Sequence, residues 1–66
     1  MCLSTVYDQK PDAEHALLKN VQSVRVENGR LFCTDLMERV HEYDAALVSA
    51  DLVNGVVIID LKEGGR

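Results

Sequence analysis

Aromatic residues, proline and long apolar runs are scarce in this sequence, and each scarcity excludes a class of protein. The 66 residues include no Trp, one Phe and one Pro, so aliphatic side chains must fill the core. No apolar run approaches the ~18 residues of a membrane span. The first residues show no basic flank before an apolar stretch, as a secretory signal would. We therefore expect a cytoplasmic protein without a membrane partner.

Catalytic motifs are also missing from the sequence. It contains no nucleophile elbow and no glycine-rich phosphate loop. A chain this short buries only ~60% of its unfolded surface, and a deep pocket would consume most of such a core. Its 47% hydrophobic and 27% charged residues are typical of a globular chain. We expect a non-enzymatic protein with a single small domain over residues 1–63 and a frayed tail over 64–66.

Basic residues are outnumbered, with 7 Lys and Arg against 11 Asp and Glu and a net charge of −4. Proteins that bind polyanions draw most of their affinity from Lys and Arg, so nucleic acid is not the expected main partner. One alternative stays open, in which the chain is an RNA- or protein-binding module without a metal role. Its binding face would consist of Arg25, Arg30 and Phe32, which offer charge and stacking.

Two Asn-Gly pairs, Asn28-Gly29 and Asn54-Gly55, are the strongest local structural signals. Each lies between runs of aliphatic residues, and Asn-Gly supplies the two positive φ angles of a type I′ hairpin turn. The strands predicted on either side are 21–27 with 30–35, and 49–53 with 56–61. Weaker signals predict strands at 2–7, 13–19 and 39–43, a turn at 35–38 and an ambiguous stretch at 44–47. Five to seven short antiparallel strands indicate an all-β fold, a small β-barrel.

A two-residue turn fixes the register of each hairpin and therefore its faces. In the first hairpin, Arg25 opposes Phe32, where the guanidinium and the ring can stack. The residues predicted on its core face are Val24, Val26, Leu31 and Cys33. In the second hairpin, the predicted core pairs are Leu52 with Val57, Ala50 with Ile59 and Val48 with Leu61.

The opposite face of the second hairpin carries Val53, Val56 and Ile58 beside polar residues. It is more apolar than a solvated strand face needs to be, and such stripes often mark interaction sites. We therefore regard these three residues as a candidate dimer interface. The alternative is that the N-terminal segment or residues 13–19 cover them within one chain.

The histidines and one cysteine have ordinary structural explanations. His15 and His41 lie among polar neighbours, and we expect both to be exposed surface residues. Cys33 lies on the predicted core face, where a free cysteine behaves as a small hydrophobic residue. Burial there would raise its thiol pKa and reduce its reactivity.

Cys2 differs because it lies next to the α-amine of the chain. The amine, the Cys2 backbone nitrogen and the thiolate can chelate one ion, and two such termini would supply four N and S donors. Square-planar N/S coordination suits Ni(II) and Cu(II), whereas tetrahedral coordination suits Zn(II). The alternative is a cysteine that simply begins the first strand.

The opening Met1-Cys2-Leu3-Ser4, extended through residue 7, resembles the start of the CooT family. These are small accessory proteins of carbon monoxide dehydrogenase that are also described as predicted RNA-binding proteins. The resemblance continues through 20–29, 31–36 and 51–58.

This resemblance implies an SH3-like β-barrel that binds Ni(II) through the cysteine after the initiator methionine, in a homodimer whose N-termini converge. Carried over, Cys2 is the metal ligand and the Met1 amine assists it. The implied partners are a nickel enzyme or its maturation proteins. The segment 8–16 departs from the family pattern, with more acids, and its role stays open.

Overall fold

Short runs of aliphatic and β-branched residues form six β-strands in the computed structural model, which describes residues 3–62. The strands are β1 (Ser4–Asp8), β2 (Ala16–Glu27), β3 (Arg30–Asp35), β4 (Val40–Tyr43), β5 (Ala45–Asp51) and β6 (Val56–Leu61). A single turn of 3₁₀ helix, Ala13–His15, leads into β2. The predicted all-β fold is confirmed, and the strands form one curled sheet consistent with a small barrel. The predicted tail at 64–66 lies outside the described residues.

The sheet has the strand order β4-β3-β2-β1-β6-β5. Strands joined by hairpins pair antiparallel, but β1 and β6 pair parallel. The prediction of antiparallel strands throughout is therefore wrong for this one pair. The reason is topological, because the chain crosses from β4 at one edge to β5 at the other. The β5–β6 hairpin then places β6 beside β1 in the same direction.

The first Asn-Gly pair forms the predicted two-residue turn. Asn28 has φ 53° and Gly29 has φ 76°, as a type I′ turn requires at both positions. The predicted register follows and is confirmed for Glu27 with Arg30, Val26 with Leu31 and Val24 with Cys33. The two-residue Asn28-Gly29 turn thus determines the register in which β2 pairs with β3.

The second Asn-Gly pair forms a different turn, and the predicted register of this hairpin is wrong. Asp51 opposes Val56, so the loop contains four residues instead of two. Only Gly55 of this pair has a positive φ, at 71°. The Asn54 backbone N–H and side-chain amide both donate to the Asp51 carboxylate, at 3.2 and 2.8 Å. These bonds stabilise the wider loop, as Asx turns do.

The core is made by the inward faces of β1, β2, β3 and β6 and by the first residue of β5. Its buried members are Val6, Val21, Leu31, Cys33, Ala45, Val57 and Ile59. Four residues predicted to be core, Val26, Val48, Ala50 and Leu52, are exposed instead. The two-residue shift in register and a bulge between Leu47 and Ser49 displace the β5 residues. Val26 opposes the buried Leu31 but is itself 54% exposed.

Residues 13–47 differ from the predicted elements in three places. The predicted strand at 13–19 begins only at Ala16, and β2 continues through Asn20, which adopts φ 60° and accepts a hydrogen bond from Leu36 N at 2.8 Å. Of the ambiguous stretch at 44–47, residues 45–47 belong to β5 and Asp44 lies between β4 and β5. Within the part of the chain that the structure describes, no helix has the length and hydropathy to cross a membrane.

Candidate functional site

The chain enters the described structure at Leu3, the residue after the predicted metal ligand. Cys2 and Met1 themselves lie outside the described residues. The start of β1 is held against the loop between β5 and β6, because Thr5 N donates to Gly55 O at 2.9 Å. Ser4 is buried at this point. The residues that follow Cys2 are therefore fixed to the sheet.

Gly55 is the residue that permits this close approach. A Cβ at this position would lie 2.9 Å from the Leu3 carbonyl oxygen, closer than a carbon atom can approach without a shift of the backbone. Its φ of 71° is also a conformation that side chains disfavour. Glycine is thus required here both by conformation and by space.

Beside the start of β1, the curled sheet leaves an open apolar groove of about 370 Å³. One wall comes from the second half of β2 and the other from β5 and the loop after it. The lining residues are Ser4, Val21, Gln22, Ser23, Val24, Val26, Leu47, Ala50, Leu52 and Val57. Three of the four residues wrongly predicted to be core line this groove, namely Val26, Ala50 and Leu52. Their apolar side chains therefore lie on an open surface of the chain and not in its interior.

Cys33 is buried in the core as a free thiol, as predicted. Burial raises the pKa of its thiol, which disfavours the thiolate that a metal requires. Among residues 3–62, no three His, Cys, Asp or Glu side chains lie close enough to hold a metal ion.

Asp35 organises a polar cluster at the turn between β3 and β4. Its side chain is nearly buried, and its Oδ1 accepts from the backbone N–H groups of Met37 at 2.9 Å and Arg39 at 3.0 Å. Its Oδ2 lies 2.9 Å from His41 Nε2 and 3.1 Å from Arg39 Nε. The hydrogen bond with His41, followed by the Arg39 backbone bond, lowers the pKa of Asp35 to about 2.

Sequence reasoning missed the role of Asp35. It predicted the turn at 35–38 but did not use the position of an aspartate as its first residue, where Asp commonly accepts from the N–H two residues on. His41 was predicted to be an unremarkable surface residue, yet it is half-buried and bonded to this carboxylate. The cluster ties β4 to the end of β3.

His15 forms a smaller pair with Asp12 beside the 3₁₀ turn. The His15 side chain is 37% exposed, in keeping with the surface position predicted for it. The hydrogen bond with His15 lowers the pKa of the Asp12 carboxyl. This pair lies in segment 8–16, whose role the sequence left open.

Within the alternative nucleic-acid face, the predicted stacking of Arg25 on Phe32 is confirmed, but both arginines of this face pair with acids. The Arg25 guanidinium lies 4.9 Å from the centroid of the Phe32 ring. Arg25 also pairs with Glu27 at 3.3 Å, and Arg30 pairs with Glu42. Acidic neighbours therefore offset the positive charge that a polyanion would need.

The three residues predicted as a dimer interface differ in exposure. Val53, in the loop after β5, is 89% exposed, whereas Ile58 is only 7% exposed and Val56 is half-buried. Within a single chain, Ile58 contributes almost no surface. Whether these residues meet a second copy stays a prediction.

Comparison with known proteins identifies one family. The family described as CO dehydrogenase accessory protein CooT matches residues 1–60 of the 66-residue chain. This confirms the resemblance drawn from the sequence, and the family is one of accessory proteins, not of catalytic enzymes. No curated protein matches the chain.

Proposed function

Because the chain belongs to the CooT family of CO dehydrogenase accessory proteins, we propose that it binds Ni(II) as cargo through Cys2. The Met1 amine assists, and two copies share one ion in a cytoplasmic homodimer. The client is a nickel enzyme such as carbon monoxide dehydrogenase. The observation that carries this proposal is that the family match begins at residue 1 and so includes the Met1-Cys2 start.

The donor chemistry of the chain start supports nickel as cargo. One thiolate and one amine from each of two chains give four N and S donors, a set that suits square-planar Ni(II). Both groups bind metal only when deprotonated. Nickel affinity should therefore fall as the pH is lowered.

The described residues also favour Cys2 over the second cysteine. Cys33 is fully buried, and the raised pKa of its thiol makes it a poor ligand. The hydrogen bond from Thr5 to Gly55 holds the beginning of β1 to the sheet. The residues that follow the proposed metal ligand are thus bonded to the sheet, which would support a site for the transfer of an ion.

A titration of the reduced, untagged protein with Ni(II) tests the proposal. Thiolate-to-nickel charge transfer should appear in the ultraviolet–visible spectrum and saturate at about one metal per two chains, as four N/S donors from two termini require. Cys2→Ser should abolish the band. Cys33→Ala, which keeps an apolar side chain in the core, is the control and should retain it. Unchanged nickel binding by Cys2→Ser would show that the ligand is assigned wrongly.

A further inference from the structure

We infer that Asn28 is the site of a spontaneous modification, deamidation through a cyclic imide, and that the Asp51 carboxylate protects Asn54 from the same reaction. Asn28 and Asn54 are each followed by glycine. Glycine has no Cβ to hinder the approach of its backbone nitrogen, so Asn-Gly pairs are prone to this reaction. The inference is independent of the metal site in the proposed function.

Deamidation begins when the backbone nitrogen of the glycine attacks Cγ, the carbonyl carbon of the asparagine side chain. The N–Cγ bond forms and the Cγ–Nδ2 bond breaks, and the proton of the attacking nitrogen leaves with Nδ2 as ammonia. Water then opens the cyclic imide at either carbonyl, which gives aspartate or isoaspartate. The net change at neutral pH is the uptake of water, the release of an ammonium ion and the gain of one negative charge.

At the second pair, the Asn54 side chain is bonded to Asp51. Its amide Nδ2 donates to Asp51 Oδ2 at 2.8 Å, and the Asn54 backbone N–H donates to Asp51 Oδ1 at 3.2 Å. The side-chain bond, followed by the backbone bond, lowers the pKa of the Asp51 carboxyl. The acceptor is therefore ionised at neutral pH, and such charge-assisted bonds are among the stronger ones. They restrict the rotation that Asn54 Cγ needs to reach the Gly55 nitrogen.

The backbone of Gly55 is held as well. Its carbonyl oxygen accepts from Thr5 N at 2.9 Å, and a Cβ at Gly55 would lie 2.9 Å from the Leu3 carbonyl oxygen. Gly55 is thus half-buried against the start of β1. A movement of its nitrogen onto Cγ would disturb this contact.

The first pair lacks both restraints. Asn28 and Gly29 are exposed in the turn between β2 and β3. Among residues 3–62, no side-chain hydrogen bond involves the Asn28 amide. A Cβ at Gly29 would meet only the flexible end of Lys62, at 3.7 Å. Local opening of this exposed turn is therefore enough to bring Cγ of Asn28 to the Gly29 nitrogen.

The two sites differ in what the reaction would change. Isoaspartate adds a carbon atom to the backbone, and at position 54 it would displace Gly55 from its contacts with the start of β1. At position 28 the same product alters an exposed turn and adds a negative charge there. Asp51 therefore preserves the loop that holds β1.

Tryptic peptide mapping of the full chain tests the inference. Cleavage after Lys and Arg places the two pairs in separate peptides, 26–30 and 40–62. The folded protein is incubated at mildly alkaline pH and physiological temperature, and mass spectrometry follows the converted fraction of each peptide. Asn28 should convert at least ~10-fold faster than Asn54, the factor expected for one hydrogen bond to a charged group. In denaturant the two should convert at similar rates, because both are Asn-Gly pairs.

Variants of Asp51 identify the protecting group. Asp51→Ala should raise the rate at Asn54 by ~10-fold and leave the rate at Asn28 unchanged. Asp60→Ala removes an exposed acid on β6 and changes the net charge equally, so it is the matched control and should change neither rate. Asp51→Asn retains an acceptor oxygen and should give an intermediate rate at Asn54.

The inference is overturned if the two pairs convert equally in the folded protein, or if Asn54 converts faster. It is also overturned if Asn54 converts no faster in folded Asp51→Ala than in the wild type. Conversion of both pairs in denaturant and of neither in the folded protein would show that Asn28 is not a modification site. Circular dichroism reports whether each variant is folded, and if Asp51→Ala is not, the wild-type comparison with and without denaturant decides.

Discussion

The two edges of the sheet differ in how the chain uses its polar residues. At the β4 edge, His41 bonds to Asp35 and Glu42 pairs with Arg30, so the side chains of the edge are held within the chain. At the β5 edge, residues 45–50 carry no charge, and the large side chains exposed there, Leu47 and Val48, are apolar.

The two edges therefore differ in their protection by charge. Charged side chains on an edge strand prevent another chain from adding to it, and β4 has both Glu42 and a histidine. In β5, by contrast, the only charged residue is Asp51, at the end of the strand. Substitution of Asp35 should disrupt the β4 edge, and substitution of Gly55 should disturb the loop that follows β5. Protonation of Asp35 should weaken the β4 edge in the same way as its substitution.

The largest effect is expected from Asp35→Ala, which removes the anchor of β4. The Met37 and Arg39 backbone N–H groups and the His41 ring would all lose their acceptor. Loss of several bonds to a shielded carboxylate should lower Tm by about 10 °C. Asp60→Ala, at an exposed acid on β6, is the control and should change Tm little. Similar Tm values for the two variants would show that Asp35 does not hold the edge.

A smaller effect is expected from alanine at the two hairpin glycines, measured by chemical denaturation. Gly29→Ala meets only the flexible Lys62 amine, at 3.7 Å, so it should cost about 1 kcal/mol for its positive φ. Gly55→Ala adds a 2.9 Å approach to the Leu3 carbonyl oxygen and should cost at least ~1 kcal/mol more. Equal costs would mean that the loop after β5 does not support the start of β1.

The smallest effect concerns the ionisation of Asp35. Its pKa is about 2 in the folded protein, below the ~3.9 of an unfolded aspartate. Its contribution to stability is therefore full above about pH 4 and is lost as the pH falls towards 2. The Tm difference between wild type and Asp35→Asn should shrink between pH 5 and pH 2.5. Asp12 and Asp51 also have lowered pKa values, but both proteins contain these residues, so their effects cancel in the Tm difference. A Tm difference that stays constant between pH 5 and pH 2.5 would contradict the prediction.

The two Asn-Gly pairs show how far local sequence determines this fold. At Asn28-Gly29, the turn preference and the alternating pattern agree, and both the register and the stacking of Arg25 on Phe32 were predictable. At Asn54, the side chain bonds to Asp51 instead, and the loop widens. That competition depends on an aspartate three residues away, which a two-residue turn rule does not consider.

Pairing between strands that are far apart in the sequence was the second feature that could not be predicted. The parallel contact of β1 with β6 joins Thr5 to Val56 across most of the chain, and no local pattern encodes it. The groove could not be predicted for the same reason. In the sequence, apolar residues that line an open groove have the same pattern as residues of the buried core. The Cys2 site was predicted from the chemistry of the chain start and the family resemblance, and it lies outside the described residues.

The central claim is that two copies of the chain hold one nickel ion through Cys2. Native mass spectrometry of the wild-type protein with Ni(II) tests it most directly, beside Cys2→Ser under the same conditions. The account predicts a dimer that carries a single nickel ion in the wild type and a metal-free dimer in the variant. Nickel bound to wild-type monomers, or retained by the Cys2→Ser dimer, would contradict it.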